Sequence, residues 1–175
     1  MSQAMKEVTL ETEICEYLAG HGWLYSTDDV GYDKDRALFP SDVFGWLADT
    51  QPDQLAKRVN PDLTGTDRVA AEVKVLDALH KQLDTPMGQG GGTLNLLRKG
   101  FRDVNAKFDL VQPQPTESDN PLLMDRYGKN RLRVMRQVHY STGRPNRSID
   151  LVLFCNGLPV ATIELKTDFT QSVTH

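Results

Sequence analysis

The chain has 175 residues and a formal net charge of −4, with 39% hydrophobic and 25% charged residues. This length can bury a hydrophobic core and predicts one domain over residues 1–175. No apolar run reaches membrane-spanning length and no signal-peptide pattern opens the chain, so we expect a cytoplasmic protein. Cys15 and Cys155 both fall on apolar faces, which predicts buried free thiols in a reducing compartment.

An amphipathic helix is predicted over residues 9–20. Thr9 is the expected N-cap, and Gly20 and Gly22 end the helix. The residues at helical spacing, which should face the core, are Leu10, Ile14, Tyr17 and Leu18. Glu11 would then lie in the first turn, where the helix dipole alone favours an acidic side chain.

The middle of the chain is predicted to be mainly helical. Residues 24–40 are polar and indicate a loop, a short helix follows over 40–47, and Pro52 begins another. The clearest amphipathic pattern covers residues 66–84. Residues 87–92 are rich in glycine, but the Gly-Lys-Ser/Thr of a phosphate-binding loop does not follow them.

Two strands are predicted before the end of the chain. Alternating apolar residues indicate a strand over 102–112 and a second over 131–140, with a loop over 113–121 between them. Seven basic residues and no acidic residue lie between positions 126 and 147. Such a strip can bind the phosphates of DNA, although a solvated strand face is the alternative. The arginines expected to bind DNA are Arg131, Arg133, Arg136, Arg144 and Arg147.

Two apolar runs, 149–155 and 158–165, flank Asn156-Gly157, which is a strong signal for a β-hairpin. Their near-continuous hydrophobicity predicts strands that are covered on both faces. Asp150 opens the first strand, whereas Glu164 and Lys166 close the second. Buried charges are costly unless they are paired or bind a metal. We therefore expect a divalent-metal site with a cationic helper.

The register of this hairpin decides whether the two carboxylates meet. A two-residue loop pairs Cys155 with Leu158 and places Asp150 and Glu164 on opposite faces. A three-residue loop with a bulge pairs Cys155 with Pro159 and places Asp150 opposite Glu164. We predict the odd-length or bulged turn.

Asp150, thirteen further residues and then Glu164-Leu165-Lys166 resemble the PD-(D/E)XK nuclease motif, with Ile149 in place of its proline. The longer string from Asp150 through Asn156-Gly157-Leu158-Pro159 to Ile163 and Lys166 resembles the amino-terminal nuclease domain of the R subunit of Type I restriction enzymes. The first helix, which carries Glu11, and the strand that carries Gln137 are similar to that family as well. The resemblance covers residues 9–23 and 130–173.

The resemblance implies an α/β fold with a restriction-endonuclease-like mixed β-sheet flanked by helices. It implies that Asp150, Glu164 and the backbone carbonyl of Leu165 hold Mg²⁺, and that Lys166 orients the attacking water. It also makes Glu11 a carboxylate that the first helix contributes to the site. Gln137 is a further candidate, which would face the site or the scissile phosphate.

The resemblance further implies Mg²⁺-dependent hydrolysis of double-stranded DNA in a complex with methylation (M) and specificity (S) subunits. ATP would serve only motor domains that this chain does not contain, since it has no Walker A lysine. A Gln-x-x-x-Tyr element of the family is not completed at Gln171, because position 175 is histidine. We therefore expect the chain to be a fragment of a larger subunit.

A second match to the nuclease motif occurs at Pro61-Asp62 with Glu72-Val73-Lys74. Because these residues lead into the predicted helix 66–84, Glu72 and Lys74 would project from different faces. We interpret them as solvated helix residues.

Three other interpretations stay open from the sequence. The chain could be another nuclease of the same fold that acts in repair or on junctions. It could be a nuclease-like module that only binds DNA or protein. It could also be a generic α/β domain whose strand end carries a salt bridge.

Overall fold

The computed structural model describes residues 3–116, 120–139 and 148–165, with only the backbone for residues 3–7. The helices are α1 (Gln3–Gly20), α2 (Pro40–Thr50), α3 (Pro52–Ala56), α4 (Gly65–Asp84), α5 (Thr93–Lys99) and α6 (Pro121–Gly128), with a short 3₁₀ turn at Met87–Gln89. The strands are β1 (Leu24–Ser26), β2 (Phe101–Asp103), β3 (Ala106–Phe108), β4 (Leu132–His139), β5 (Ser148–Cys155) and β6 (Leu158–Ile163). None of these helices is long and apolar enough to cross a membrane.

Four strands form a mixed sheet in the order β1-β4-β5-β6. β1 runs parallel to β4, whereas β4, β5 and β6 are antiparallel neighbours. The predicted mixed α/β fold is confirmed. The prediction that both hairpin strands are covered holds for β5 but is wrong for β6, whose residues 160–162 are exposed. β6 is the edge strand of this sheet, so among the described residues no further strand pairs with its outer side.

Helix α1 covers one face of the sheet, where Cys15 packs with Val134 and Leu151. The opposite face carries a second cluster built around Phe39, Met135 and Phe154. The largest cluster lies beside the sheet, among α2, α4 and the small β2–β3 sheet. Its bulkiest fully buried residues include Trp46, Leu79 and Phe108.

The first helix begins at Gln3, six residues before the predicted start, so the prediction of Thr9 as its N-cap is wrong. Leu10 and Tyr17 are exposed, contrary to the predicted stripe, while Ile14 and Leu18 pack against the sheet. The face that contacts the sheet is centred on Cys15 and includes the buried Glu11. The hydrophobic pattern misplaced the buried face of α1 because that face carries a carboxylate, Glu11.

The predicted strand 102–112 is instead the β2–β3 hairpin, which pairs Phe101 with Phe108. The chain reverses at Val104, which has a φ of 53° and is 83% exposed. The buried positions Ala106, Phe108 and Leu110 still alternate as predicted. The alternation was therefore right, but a turn at a β-branched residue carries no sequence signal.

Helix α4 confirms the helix predicted over 66–84. Glu72 pairs with Arg68 across one turn of this helix at 2.9 Å, and Lys74 is exposed. The second match to the nuclease motif is thus a helical surface, as we interpreted it. By contrast, the three-residue strand β1 lies in the predicted loop 24–40, and α6 begins at the last residue of the predicted loop 113–121 and continues into a stretch for which no element was predicted.

A buried ion pair joins α2 to the sheet. Arg133 donates to both carboxylate oxygens of Asp42, at 2.5 and 2.8 Å, and to Ser26 Oγ at 2.6 Å. Its guanidinium also lies over the Phe39 ring, 4.4 Å from the centroid. The side chain of Asp42 is only 3% exposed, so removing either partner would leave an uncompensated buried charge.

We predict that Asp42→Ala lowers the free energy of unfolding by about 3–5 kcal/mol, because it leaves the Arg133 guanidinium without its buried partner. Asp49→Ala is the matched control. Asp49 lies on the same helix and pairs with Arg131 at 2.8 Å, but its side chain is 46% exposed. The control should lose about 0–1 kcal/mol in urea unfolding. Equal losses for the two variants would contradict the prediction.

The Asn156-Gly157 turn is buried rather than solvated. Asn156 Oδ1 accepts from the Arg131 N–H at 2.6 Å, and its amide group donates to the Leu110 carbonyl and to Asn130, each at 2.9 Å. A Cβ on Gly157 would lie 2.5 Å from the Phe39 carbonyl oxygen. The turn therefore locks the hairpin against the start of β4 and the residue before α2.

We predict that Asn156→Ala lowers the free energy of unfolding by about 2–4 kcal/mol, because it leaves buried backbone groups without partners. Asn105→Ala is the control, since Asn105 lies in the exposed turn between β2 and β3. Its loss should stay within about 0.5 kcal/mol. A chemical-denaturation series on both variants would decide, and a small loss for Asn156→Ala would contradict the assigned contacts.

Candidate active site

Asp150 and Glu164 lie directly beyond the last pair of the β5–β6 hairpin, Leu151 with Ile163. The turn itself has two residues, since Cys155 pairs with Leu158 and both turn residues have positive φ, as in a type I′ turn. The predicted three-residue loop is therefore wrong. The bulge predicted at the turn is also wrong in its position, because the register shift lies inside β6, where Phe154 pairs with Pro159 but Leu153 pairs with Ala161. This one-residue shift continues to the Leu151–Ile163 pair and brings the next positions, Asp150 and Glu164, level.

The half-buried Asp150 is held at the end of the hairpin. Its Oδ2 accepts a hydrogen bond from the backbone N–H of Leu165 at 2.6 Å. Leu165 packs against the α1 side of the sheet, while Glu164 is exposed one residue beyond the end of β6. The residue predicted to assist them, Lys166, lies outside the described residues.

The backbone of β4 is distorted at Gln137, whose φ of 51° is unusual for a residue with a side chain. Strand residues normally alternate between faces, yet Met135 and Val138 pack in the same cluster. On β5, Ile149 and Val152 likewise pack together on that face. The Arg136–Leu151 and Val138–Ile149 pairs place Gln137 opposite Asp150. The distortion thus lies at the candidate site and turns Gln137 towards α1.

Glu11 meets Gln137 from helix α1. Glu11 is 3% exposed, and its Oε1 accepts from Gln137 Nε2 at 2.9 Å. The Gln137 Oε1 in turn accepts from Ser148 Oγ at 2.6 Å. Because α1 begins at Gln3, Glu11 lies well past the first turn, and the helix dipole does not explain it.

The second oxygen of Glu11, Oε2, is buried and has no hydrogen-bond partner among the residues that the structure describes. A buried carboxylate oxygen without a donor is costly, and a cation is one way to compensate it. This orphaned oxygen fits a divalent cation, which prefers hard oxygen ligands. Within the described ranges, however, no three His, Cys, Asp or Glu side chains gather into a cluster that could hold a metal. Glu11, Asp150 and Glu164 are therefore not brought together as a set of three carboxylates.

The arginines predicted to bind DNA differ in how they are used. Arg133 already forms a buried ion pair with Asp42, and Arg131 forms an ion pair with Asp49. Arg136 is half-buried and donates to Thr12 Oγ1 at 2.9 Å. The other two members of the predicted set, Arg144 and Arg147, lie outside the described residues.

An open cavity of about 580 Å³ adjoins Gln137. Arg136 and the exposed His139 line it from β4, and residues 27–30 line it from the loop that follows β1. The lining residues 27–30 carry no sequence signal, because β1 has only three residues and resembles part of a polar loop. Ser148 carries none either, since it lies at the start of β5 with no motif around it.

Both cysteines are buried free thiols, as predicted. Burial raises the pKa of the Cys155 thiol to about 11, and burial likewise raises the pKa of Cys15, although a hydrogen bond with Tyr25 opposes this. Both side chains therefore stay protonated near neutral pH, which does not suit a nucleophile or a metal ligand. The chemistry of the site rests on its oxygen and nitrogen groups.

No curated protein and no solved structure matches the chain. The family described as the Type I restriction enzyme R protein N terminus matches residues 4–174, which is nearly the whole chain. This match agrees with the resemblance carried by the hairpin, the first helix and the strand that contains Gln137. The chain therefore belongs to the family of Type I restriction enzyme R protein N termini.

Proposed function

We propose that this chain is the Mg²⁺-dependent endonuclease domain of an R subunit, and that it hydrolyses phosphodiester bonds of double-stranded DNA. One observation carries the proposal. The bulge in β6 gives the hairpin a register in which Asp150 and Glu164 follow directly after its last pair, Leu151 with Ile163. A protein that only bound DNA would have no need to align two carboxylates there, because they would repel phosphate.

The residues proposed to hold Mg²⁺ are Asp150, Glu164 and the backbone carbonyl of Leu165. All three supply hard oxygen ligands, which Mg²⁺ prefers. When bound, the ion would lower the pKa of a water molecule and offset negative charge on the phosphate. The hydrogen bond from the Leu165 N–H fixes the Asp150 carboxylate at the strand end, so little ordering would be needed on binding.

Lys166 is proposed to orient the attacking water and to stabilise the negative charge that develops on the scissile phosphate. Glu11 is proposed as a further carboxylate near the cation, since its orphaned Oε2 is buried. Both polar ends of the Gln137 side chain already have protein partners. Gln137 is therefore better suited to position Glu11 than to contact the scissile phosphate.

DNA is proposed to approach over the cavity beside Gln137, where Arg136 would contact its phosphates. Arg144 and Arg147 are proposed to extend this contact. We further propose that the domain acts in the cytoplasm with methylation and specificity subunits. ATP-driven movement along DNA would come from motor domains other than this chain.

We predict that the chain binds Mg²⁺ in a calorimetric titration and that Asp150→Asn abolishes the binding heat. Asparagine keeps an oxygen that can accept from the Leu165 N–H, so the variant removes the charge but retains the hydrogen bond. Asp53→Asn is the control, since Asp53 is exposed on α3. In a plasmid assay, Asp150→Asn should also lose Mg²⁺-dependent cleavage.

Two results would contradict this assignment. Asp150→Asn could bind Mg²⁺ as tightly as the unaltered chain, which would place the ion elsewhere. The unaltered chain could also bind double-stranded DNA while neither binding Mg²⁺ nor cutting DNA. That result would favour the nuclease-like binding module over the enzyme.

We predict that Arg136→Ala weakens binding to a short DNA duplex and lowers the magnitude of the salt-dependence slope by about one, as expected for one lost phosphate contact. Arg131→Ala is the matched control on the same segment, because its guanidinium already pairs with Asp49. A fluorescence-anisotropy series at several salt concentrations measures both slopes. Equal slopes for the two variants would remove Arg136 from the DNA-binding surface.

A further inference from the structure

A line of three side chains runs from the sheet to helix α1. Ser148 Oγ donates to Gln137 Oε1 at 2.6 Å, and Gln137 Nε2 donates to Glu11 Oε1 at 2.9 Å. Ser148 lies at the start of β5, two residues before Asp150, and pairs with His139 of β4. The line therefore begins next to one candidate metal ligand and ends on another.

The chemistry of these groups fixes the direction of every hydrogen bond. An ionised carboxylate only accepts, so the amide nitrogen of Gln137 must face Glu11. The amide oxygen then faces Ser148, whose hydroxyl must donate to it. If the amide were reversed, its oxygen would meet the carboxylate with no proton between them. The Glu11 carboxylate selects this orientation of Gln137, and the Ser148 hydroxyl completes it by giving the amide oxygen a donor.

The backbone supports the same arrangement. Gln137 adopts a φ of 51°, a conformation that costs free energy for any residue with a Cβ. That conformation turns its side chain towards Glu11 rather than towards the opposite cluster around Met135. Strain of this kind persists where surrounding contacts hold it in place, and the two hydrogen bonds of the Gln137 amide are such contacts.

The two oxygens of the Glu11 carboxylate therefore differ in their hydrogen bonds. Glu11 Oε1 accepts a hydrogen bond from Gln137, whereas Oε2 is buried without a partner in the described part of the chain. A carboxylate that is held by one oxygen presents the other in a defined direction. Partners of this kind, which touch a metal ligand rather than the metal, typically change metal affinity by about 10- to 100-fold.

We propose that Ser148 is a positioning residue for the divalent cation. Acting through Gln137, it holds Glu11 so that Oε2 is the oxygen offered to the ion. This inference rests on the proposed function, because it assumes that the chain binds Mg²⁺ at Asp150 and Glu164. Since Glu11 does not join these two carboxylates in one cluster among the described residues, its Oε2 would face the ion through a bound water. Ser148 itself touches neither the cation nor the DNA in this arrangement.

The test is a Mg²⁺ titration by calorimetry, with thermal unfolding measured for every variant without the ion. Ser148→Ala should weaken Mg²⁺ affinity about tenfold or more, while the variant still unfolds cooperatively at a temperature well above that of the titration. Ser148→Thr keeps the hydroxyl and should retain the affinity. Thr162→Ala removes a hydroxyl from an exposed position of β6 and should change neither quantity.

The outcomes separate this inference from the proposed function. If the unaltered chain binds no Mg²⁺, both are overturned. If Asp150→Asn abolishes binding while Ser148→Ala binds normally, the inference alone fails. It also fails if Ser148→Thr is as weak as Ser148→Ala, since packing rather than the hydroxyl would then matter. Should Ser148→Ala unfold, Ser148→Cys replaces it as a weaker donor of similar size and should show the same loss.

Discussion

One extra residue in β6 decides where the two carboxylates of the hairpin stand. The turn alone would pair Asp150 with Ile163, because its two residues set Cys155 opposite Leu158. Val160 adds one residue to β6 and shifts every later pair by one position. Since β6 is an edge strand, the extra residue displaces no further neighbour in the described sheet. The geometry of the candidate site therefore depends on an irregularity in the edge strand of the sheet.

The second constraint is electrostatic. The protein buries the Glu11 carboxylate on the inner face of a helix, where an apolar residue would stabilise the fold more. By contrast, it compensates the carboxylate of Asp42 fully, with two charge-assisted hydrogen bonds from Arg133. Asp42 and Glu11 therefore differ in how their buried charge is compensated. The Asp42 carboxylate is fully paired and links α2 to the sheet, whereas the Glu11 carboxylate keeps one oxygen available.

Much of the fold could be predicted from local pattern. The helix over 66–84, the last three strands and the hairpin all carry strong periodic or turn signals. The charges at Asp150 and Glu164 favoured an irregular hairpin register, but they placed the bulge at the turn rather than in the strand. The true position could not be predicted, since Val160 fits either register equally well. The start of α1 was missed because Thr9 is a typical N-cap residue, although the helix already begins at Gln3.

Long-range pairings were beyond the reach of the sequence. Arg133 looked available for DNA because its partner, Asp42, lies on a separate helix far along the chain. The role of Ser148 was hidden in the same way, since its link to Glu11 passes through a residue on a different strand. Basic residues in a run indicate a surface only when no acid from elsewhere reaches them. The family match covers the chain as a whole but does not distinguish these individual roles.

The buried Asn156-Gly157 turn also affects how readily this protein deamidates. An Asn-Gly pair deamidates readily when the glycine nitrogen can attack the asparagine side chain. In the folded protein, three hydrogen bonds hold the Asn156 amide away from such freedom. Deamidation would therefore occur chiefly in molecules that have unfolded, and would leave an aspartate facing the Leu110 carbonyl and Asn130. Such molecules would carry a charge at a buried position, so prolonged heating above the unfolding temperature should cause a loss of folded protein that cooling does not reverse.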